Sequence, residues 1–459
     1  MRFFIVLPLV LLPAMLSGCN NKDETSSPVL IRPEAYNVVL ISIDTLRADH
    51  LACYGYDRET APCIERFAEK SVVFDRAYSQ SPWTTPSHAS LFTSLYPSVL
   101  NLNPWPNPGE ISPKAYTLAE LMRDHGYATA GFLEAGMVSS KFGFAQGFDP
   151  YKQGYKHIHE SVPACLEWIA EQKEKRFFVF LHTYDVHRYD PPEEFKDLFL
   201  PEYRGPVEEG IPLARKLQDL PNYEFLRTLD ENDEKKIISI YDEGIRYVDH
   251  WIGRFFDGLE AAGLMRKTVV LVTSDHGEEF WEHRHTGHGY TNFEEMLHIP
   301  LILYHPDLAP GRRGQLVRLL DIAPTVAELV GVPIKREWQG ISFLNALKDT
   351  NTRGAQYSFA EQGHVDRKSV HNERWKLIRT YRDKPPPFID HLYDMKNDPA
   401  ESNDVADLYP EELEKLRELL LAWEDANQKL KKGYKALEVE LDPELKKQLE
   451  NLGYTGKDR

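Results

Sequence analysis

Cysteine is scarce in this chain, with 4 among 459 residues. There is no Cys-x-x-Cys pair and no Cys/His cluster, so a structural zinc site lacks its usual ligands. Apart from Cys19, the set is Cys53, Cys63 and Cys165, an odd number that cannot form a complete disulfide framework. Cys53 and Cys63 could pair in an oxidising compartment, or all three could remain buried thiols. Positive charge is short as well: 54 Lys and Arg against 71 Asp and Glu leave a formal net charge of -17. That argues against nucleic acid as a partner, because phosphate backbones demand basic patches. Beyond the first residues, no apolar run is long enough to span a bilayer. Internal repeats and extended low-complexity stretches are missing too. What is present is about two to three domain lengths of mixed sequence, ample for a large core.

The N-terminus reads as a targeting segment. Arg2 supplies charge, and Phe3 to Leu16 is apolar but short for a transmembrane helix. Leu16-Ser17-Gly18-Cys19 resembles a bacterial lipobox, which implies a lipidated Cys19 as the mature N-terminus. Residues 1–19 are then a lipoprotein signal, and the polar residues 20–35 a tether. The mature protein is expected in the cell envelope, held to a membrane by its lipid and facing the periplasm or the exterior.

After the tether, strand and helix patterns alternate. Strands are expected at Val38 to Ile43, Ala128 to Leu133, Phe177 to Leu181, Val269 to Thr273 and Pro300 to Tyr304. Helices are expected at Tyr116 to His125, Ser161 to Lys173 and Asn232 to Ala262. This alternation predicts an α/β fold: a large, mostly parallel sheet flanked by helices, spanning residues 36–348. A smaller α+β subdomain with a helical tail is expected over 349–459. Its strands would be Trp375 to Arg379 and His391 to Asp394, around Pro385-Pro386-Pro387. Leu413, Leu416, Leu420 and Trp423 fall at helical spacing, so Glu411 to Leu430 should bury that stripe. A last helix should start at Asp442-Pro443 and end at Gly453.

The most informative stretch is Ser274-Asp275-His276-Gly277-Glu278, at the end of an apolar run. The run ending at Ile43 is likewise followed by an acid, Asp44. Continuous apolar runs read as buried parallel strands, and ligands bind at the carboxyl ends of such strands. Asp44, Asp275 and His276 could therefore converge, and two carboxylates with an imidazole suit a divalent cation. Ser81 to Thr93 is rich in hydroxyls and opens a candidate helix, whose positive N-terminal dipole would favour an alkoxide and an anionic substrate.

Together these segments resemble the sulfatase family of the alkaline phosphatase superfamily. Val39 to Tyr56 is similar to its first metal-ligand strand, and Thr84 to Pro97 to its nucleophile segment. Asp185-Val186-His187-Arg188-Tyr189 is similar to its Asp-Pro-His-x-Pro-Tyr segment. Ser274 to Glu278 and Glu294 to Leu301 are similar to its second ligand strand and downstream signature. Trp375 to Ile378, with Leu392 through Glu401, resembles its C-terminal subdomain. The resemblance implies Asp44, Asp275 and His276 as ligands of one divalent cation (Ca, Mg, Mn or Zn), with Thr84 at the nucleophile position facing it. His187 and His288 would contact substrate oxygens as catalytic residues. His88 and Asp185 would contact substrate, and Asp185, His187 and His288 leave room for a second cation. His283 and His285 are expected on an exposed loop.

The departures bear on chemistry. Thr84 stands where the family has Cys or Ser, and His88 where its recognition signal has Arg. The family's second acid is replaced by Thr45, and no lysine precedes the downstream segment, where His288 can substitute. An oxidised threonine would be a ketone, so Thr84 is expected to act as an unmodified hydroxyl. A threonyl ester must be cleared by attack at sulfur or phosphorus itself. The expected activity is therefore metal-dependent hydrolysis of sulfate- or phosphate-type esters, favouring phosphodiester, phosphomonoester or phosphonate substrates. The anionic substrate could be a glycan or lipid head group. The same Thr occurs in membrane phosphotransferases that the chain also resembles, so transfer to a glycan or lipid head group is an alternative. A catalytically silent, sulfatase-like binding protein is another.

Overall fold

The computed structural model describes residues 36–102, 109–172, 175–218, 226–363, 366–434, 437–439 and 441–452. Cys19, the signal and tether (1–35) and the expected helix end at Gly453 lie outside the described residues. Among those described, no helix is long and apolar enough to cross a membrane.

The centre is a nine-stranded sheet. Its strands are β1 (Asn37–Ile43), β2 (Val72–Tyr78), β3 (Ala128–Leu133), β4 (Tyr151–Gln153), β5 (Phe177–Thr183), β6 (Thr268–Thr273), β7 (His298–Ile299), β8 (Leu301–Tyr304) and β9 (Gly311–Arg318). They lie in the order β7-β2-β8-β6-β1-β5-β3-β4, with β9 also paired to β2. β1 sits in the middle and runs parallel to both β5 and β6. β8 is antiparallel to β6. The sheet is thus mostly parallel, as the apolar runs predict.

Alternation along the central strands sorts side chains into two layers. Val38 and Leu40 of β1 face one core with Val269 and Leu271 of β6. Val39, Ile41 and Ile43 face the other with Val270 and Val272. Helix α1 (Thr84–Thr93) closes the first layer through Ala89, Leu91 and Phe92. Helices α2 (Ile158–Glu171) and α3 (Glu231–Ala261) close the second, through Val162 and Ile169, and through Ile237, Ile245, Ile252 and Leu259. Because helices cover the sheet on both sides, both alternating rows of β1 side chains are buried and apolar. The polar residues at its end are thereby aligned with those of β5 and β6.

The C-terminal part carries a four-stranded antiparallel sheet: β10 (Ser358–Gln362), β11 (Arg367–His371), β12 (Trp375–Tyr381) and β13 (Phe388–Asp394). Helix α4 (Pro410–Lys431) lies on it and buries the expected stripe of Leu413, Leu416, Leu420 and Trp423. The Trp423 ring stacks on Phe359 at 5.1 Å between centroids. Cys53, Cys63 and Cys165 are free thiols.

Candidate metal centre and active site

The carboxyl ends of β1, β5 and β6 meet α1 at one point. Asp44 follows β1, and Asp275 and His276 follow β6. All three are fully buried. Their ligand atoms lie within 4.8 Å of one another. Neither oxygen of Asp44 has a hydrogen-bond partner, nor does Oδ2 of Asp275. Burial, and then the neighbouring Asp275, push the Asp44 carboxyl well above the usual range. Buried, unpartnered carboxylates are costly unless a cation joins them.

The backbone at the end of β1 is shaped to this purpose. Thr45 has φ +56°, a strained conformation for a β-branched residue. Its N–H points to Asp275 Oδ1 at 3.3 Å, and its carbonyl accepts from the Tyr241 hydroxyl at 2.7 Å. Gly277 allows the turn after His276 to pass the next segment: a Cβ there would lie 1.9 Å from the Glu295 carbonyl oxygen.

Thr84 is the first residue of α1, so its hydroxyl lies at the positive end of that helix. Thr84 Oγ1 is 3.3 Å from His276 Nε2. His276 Nδ1 lies 2.8 Å from the Gly277 carbonyl, which places the ring proton on Nδ1 and the lone pair on Nε2. That lone pair also faces Asp275 Oδ2 at 3.3 Å. A carboxylate oxygen and an imidazole lone pair held face to face are a donor set for a cation.

Two further histidines complete the pocket. The His288 ring lies 4.7 Å from His276 and 4.9 Å from His187. Burial, reinforced by His276, lowers the His187 imidazole to about 3. His288 Nδ1 approaches the Glu278 carboxylate at 3.3 Å, which orients the ring. Gly289 has φ +90°, and a Cβ there would lie 2.2 Å from the Trp83 ring, so only glycine lets His288 approach the start of α1. Beside Trp83 and Gly289 opens a cleft of about 330 Å³, lined also by Ser81, Gln362, Lys368 and Lys431. A larger cleft of about 680 Å³ lies around Arg76 and Gln315 and holds none of these groups.

The two residues expected to contact substrate, Asp185 and His88, both have partners within the protein. Asp185 Oδ1 is 2.6 Å from His157 Nδ1, and Oδ2 accepts from the Ile158 N–H at 2.7 Å and the Thr183 hydroxyl at 3.1 Å. Its carboxylate thus anchors the N-terminus of α2. His88 lies one turn into α1, with Nδ1 3.0 Å from the Thr84 carbonyl and Nε2 3.0 Å from Ser42 Oγ. Both ring nitrogens are engaged, so His88 props up the Thr84 turn from beneath.

The sequence reading missed His182, Glu278 and Glu134 as members of the site. His182 lies on β5 opposite Ser42, with Nε2 3.4 Å from Asp44 Oδ2. Both its nitrogens are buried without a hydrogen-bond partner, and burial holds it well below the usual imidazole range. The strand expected to stop at Leu181 runs on to Thr183 and carries this imidazole to the centre. Glu278 lies in the quoted motif but had no role there. Glu134 follows β3 and binds Arg188 at 2.7 Å; burial, then Asp185, raises it to about 7.

Comparison with known proteins bears on this arrangement. The sulfatase family model matches residues 36–332, which contain every strand of the nine-stranded sheet and the groups gathered around Asp44, Thr84 and Asp275, but not Gln362, Lys368 or Lys431 of the cleft. The chain belongs to the sulfatase family. A second model, for the C-terminal region of N-sulphoglucosamine sulphohydrolase, matches residues 282–425. Among curated relatives, arylsulfatase K of Gallus gallus is 23% identical over 442 residues, 84% of this chain and 81% of the relative. Choline-sulfatase of Rhizobium meliloti is 24% identical, over 81% and 82% of the two chains. Among solved structures, a 2-O GAG sulfatase superposes with a TM-score of 0.71 at 20% identity, covering 90% of this chain and 96% of the other. The phosphonate monoester hydrolase of Agrobacterium radiobacter superposes at 0.69 and 18% identity, covering 85% and 96%. This sulfatase-family chain is therefore a hydrolase of sulfate- or phosphate-type esters by family, with the alkaline-phosphatase-like fold.

Family members typically bind a divalent metal, and the residues here fit one. The orphaned oxygens of Asp44 and Asp275, and the His276 lone pair, are the observation that carries this. Two carboxylates and an imidazole accept several divalent metals, so the donor set does not single one out.

Proposed function

We propose that this protein hydrolyses phosphate-type esters, phosphodiesters, phosphomonoesters or phosphonate esters, through an unmodified Thr84. The observation that carries the reading is Thr84 Oγ1 at the N-terminus of α1, 3.3 Å from the His276 lone pair. A divalent cation held by Asp44, Asp275 and His276 would lower the pKa of a hydroxyl and offset charge on the transferring group.

The chain's own residues supply the rest. The α1 dipole favours the anionic substrate and the Thr84 alkoxide. The Thr84 oxygen attacks phosphorus as its proton passes to His187 or His288, and the bond to the leaving oxygen breaks. His187 and His288 line the path of that oxygen. A histidine there can orient the group and pass on to the leaving oxygen the proton taken from Thr84. The leaving group extends into the cleft beside Trp83, whose charged lining is mixed: Lys431, Lys368 paired with Glu424, and the acids Glu361 and Asp366. Water then attacks the same phosphorus and releases Thr84.

Sulfate esters fit this cycle less well, because a sulfuryl group carries less negative charge than a phosphoryl group for the cation and the α1 N-terminus to offset. A threonyl sulfate has no carbonyl to collapse to, so it too needs water at the central atom. Solved structures on this fold include phosphonate monoester hydrolases as well as sulfatases, so the architecture serves both ester classes.

The test is to stop turnover of a phosphonate or phosphodiester substrate with acid and map the digest by mass spectrometry. The peptide carrying Thr84 should contain a phosphoryl or phosphonyl group, and resting enzyme should carry ordinary threonine. Thr84→Ala should lose at least about a hundredfold in rate. Full activity in Thr84→Ala, or an oxidised Thr84 in resting enzyme, would sink the reading.

A further inference from the structure

A second group of metal-ligating side chains lies apart from the catalytic centre. Glu279, His283 and Glu295 bring ligand atoms within 4.8 Å of one another. Glu279 starts the short ribbon Glu279–Phe280, which pairs with Thr286–Gly287. His283 lies in the turn between those strands, and Glu295 on the short helix Glu294–Leu297. This ribbon leads to His288, so whatever fixes it also fixes a catalytic histidine.

Glu279 is the decisive residue. It is 0% exposed, and neither carboxylate oxygen makes a hydrogen bond of good geometry, although the Thr291 hydroxyl and the Arg367 guanidinium are near enough to oppose the effect of burial. A buried carboxylate left in that state costs several kcal/mol in general, unless a proton or a cation joins it. Burial, and then Glu295, push it well above the ordinary carboxylate range.

His283 is not the exposed loop residue that the sequence suggests. Its ring stacks on Phe293 at 3.5 Å, and its side chain is 13% exposed. Nε2 lies 3.3 Å from the Glu401 carbonyl oxygen, which accepts from the ring N–H and turns Nδ1 towards Glu295. Nδ1 faces Glu295 Oε1 at 2.7 Å. Two acceptors at that distance need a positive charge between them. A proton fits as they stand. A metal with bonds of about 2.0–2.2 Å needs the pair to open by roughly half an ångström. His285 Nδ1 is also buried without a hydrogen-bond partner; burial, then Arg367 and His283, lower its imidazole, and Glu295 opposes them. Two carboxylates and one imidazole suit Zn²⁺ or Mn²⁺, with no cysteine required.

We propose that Glu279, His283 and Glu295 hold a second divalent cation, which clamps the ribbon preceding His288 against the short helix Glu294–Leu297. Its role is structural, and it does not depend on which ester the enzyme cleaves.

The test is metal content of the full-length, detergent-solubilised protein after loading with Mn²⁺ and desalting. Wild type should hold about two equivalents, and Glu279→Gln and Asp275→Asn about one each. The double variant should hold none. In the Asp275→Asn background, added Mn²⁺ should still raise Tm, and Glu279→Gln should abolish that rise. Crystals of wild type soaked in Mn²⁺ should show two anomalous peaks, one between Glu279 and Glu295, a measurement that needs no variant to fold. One anomalous peak only, or Glu279→Gln with unchanged metal content and equal or greater stability, would overturn the proposal. Glu279 would then be a neutral, protonated acid.

Discussion

Imidazoles in this protein are sorted by burial. His187 and His371 are each pushed down to about 3, and His182 well below its ordinary value. Burial is the main cause in each, because it penalises the charged ring. For His371, Lys376 and Arg76 add to burial, while Glu294 opposes it. His371 lies on β11, its ring 4.1 Å from Tyr78, well away from the catalytic residues. The folded pKa lies below the unfolded value of about 6.5. The stability contributed by the neutral ring is therefore complete above about pH 6.5, and is lost as pH falls towards 3. Urea unfolding of wild type from pH 7 to 4.5 should show this as a slope of up to about 1.4 kcal/mol per pH unit. His371→Gln should flatten the curve by that amount. Parallel curves for the two proteins would show that His371 does not titrate on unfolding.

Turns carry the catalytic groups, and two of them tolerate no side chain. Gly277 follows His276 so closely against Glu295 that an added Cβ would meet its carbonyl oxygen at 1.9 Å. Gly277→Ala should cost at least about 2–3 kcal/mol, or displace Asp275 and His276, since backbone has little room to yield. Thermal melting with metal titration would check this; an alanine variant with wild-type Tm and metal affinity would refute it. The central elements were legible for a simple reason. β1, β5 and β6 are buried on both faces, so each is a continuous apolar run. Their polar ends then marked Asp44, Asp275 and His276. β2 and β9 were not legible: Asp75 and Arg76 interrupt the first, and Gly311-Arg312-Arg313 opens the second. Those strands lie towards one side of the sheet, where polar side chains reach solvent. His182 was missed because the apolar run ends one residue before it. The hydrogen-bond partners of Asp185 and His88 were not legible, because a sequence cannot say which neighbour takes up a hydrogen-bonding group.

At the scale of the molecule, the C-terminal subdomain docks on the sheet through a buried charge cluster. Lys376 on β12 is fully buried, its Nζ 3.1 Å from Glu294 and 2.9 Å from Glu401. Glu294 also accepts from the Tyr78 hydroxyl of β2, and its N–H donates to Glu401 at 2.6 Å. One lysine thus ties the sheet, the helix Glu294–Leu297 and the subdomain together. Lys376→Met would leave two buried carboxylates unpaired, at a cost of about 3–5 kcal/mol. Urea unfolding should show that loss, and an unchanged midpoint would mean the cluster is neutral to stability. The docked subdomain also supplies Gln362 and Lys368 to the cleft beside Trp83, so the same cluster positions the substrate side of the site.

The central claim is that an unmodified threonine beside Asp44, Asp275 and His276 makes this sulfatase-family enzyme prefer phosphorus to sulfur. The most direct measurement is kcat/KM for one aryl leaving group carried as sulfate, phosphate monoester, phosphodiester and phosphonate ester. A single metal-loaded preparation lacking the residues before Asn20 should serve for all four. At least one phosphate or phosphonate ester should be turned over faster than the sulfate by tenfold or more, that is by about 1.4 kcal/mol in transition-state stabilisation. A sulfate ester turned over faster than every phosphorus ester would contradict the account.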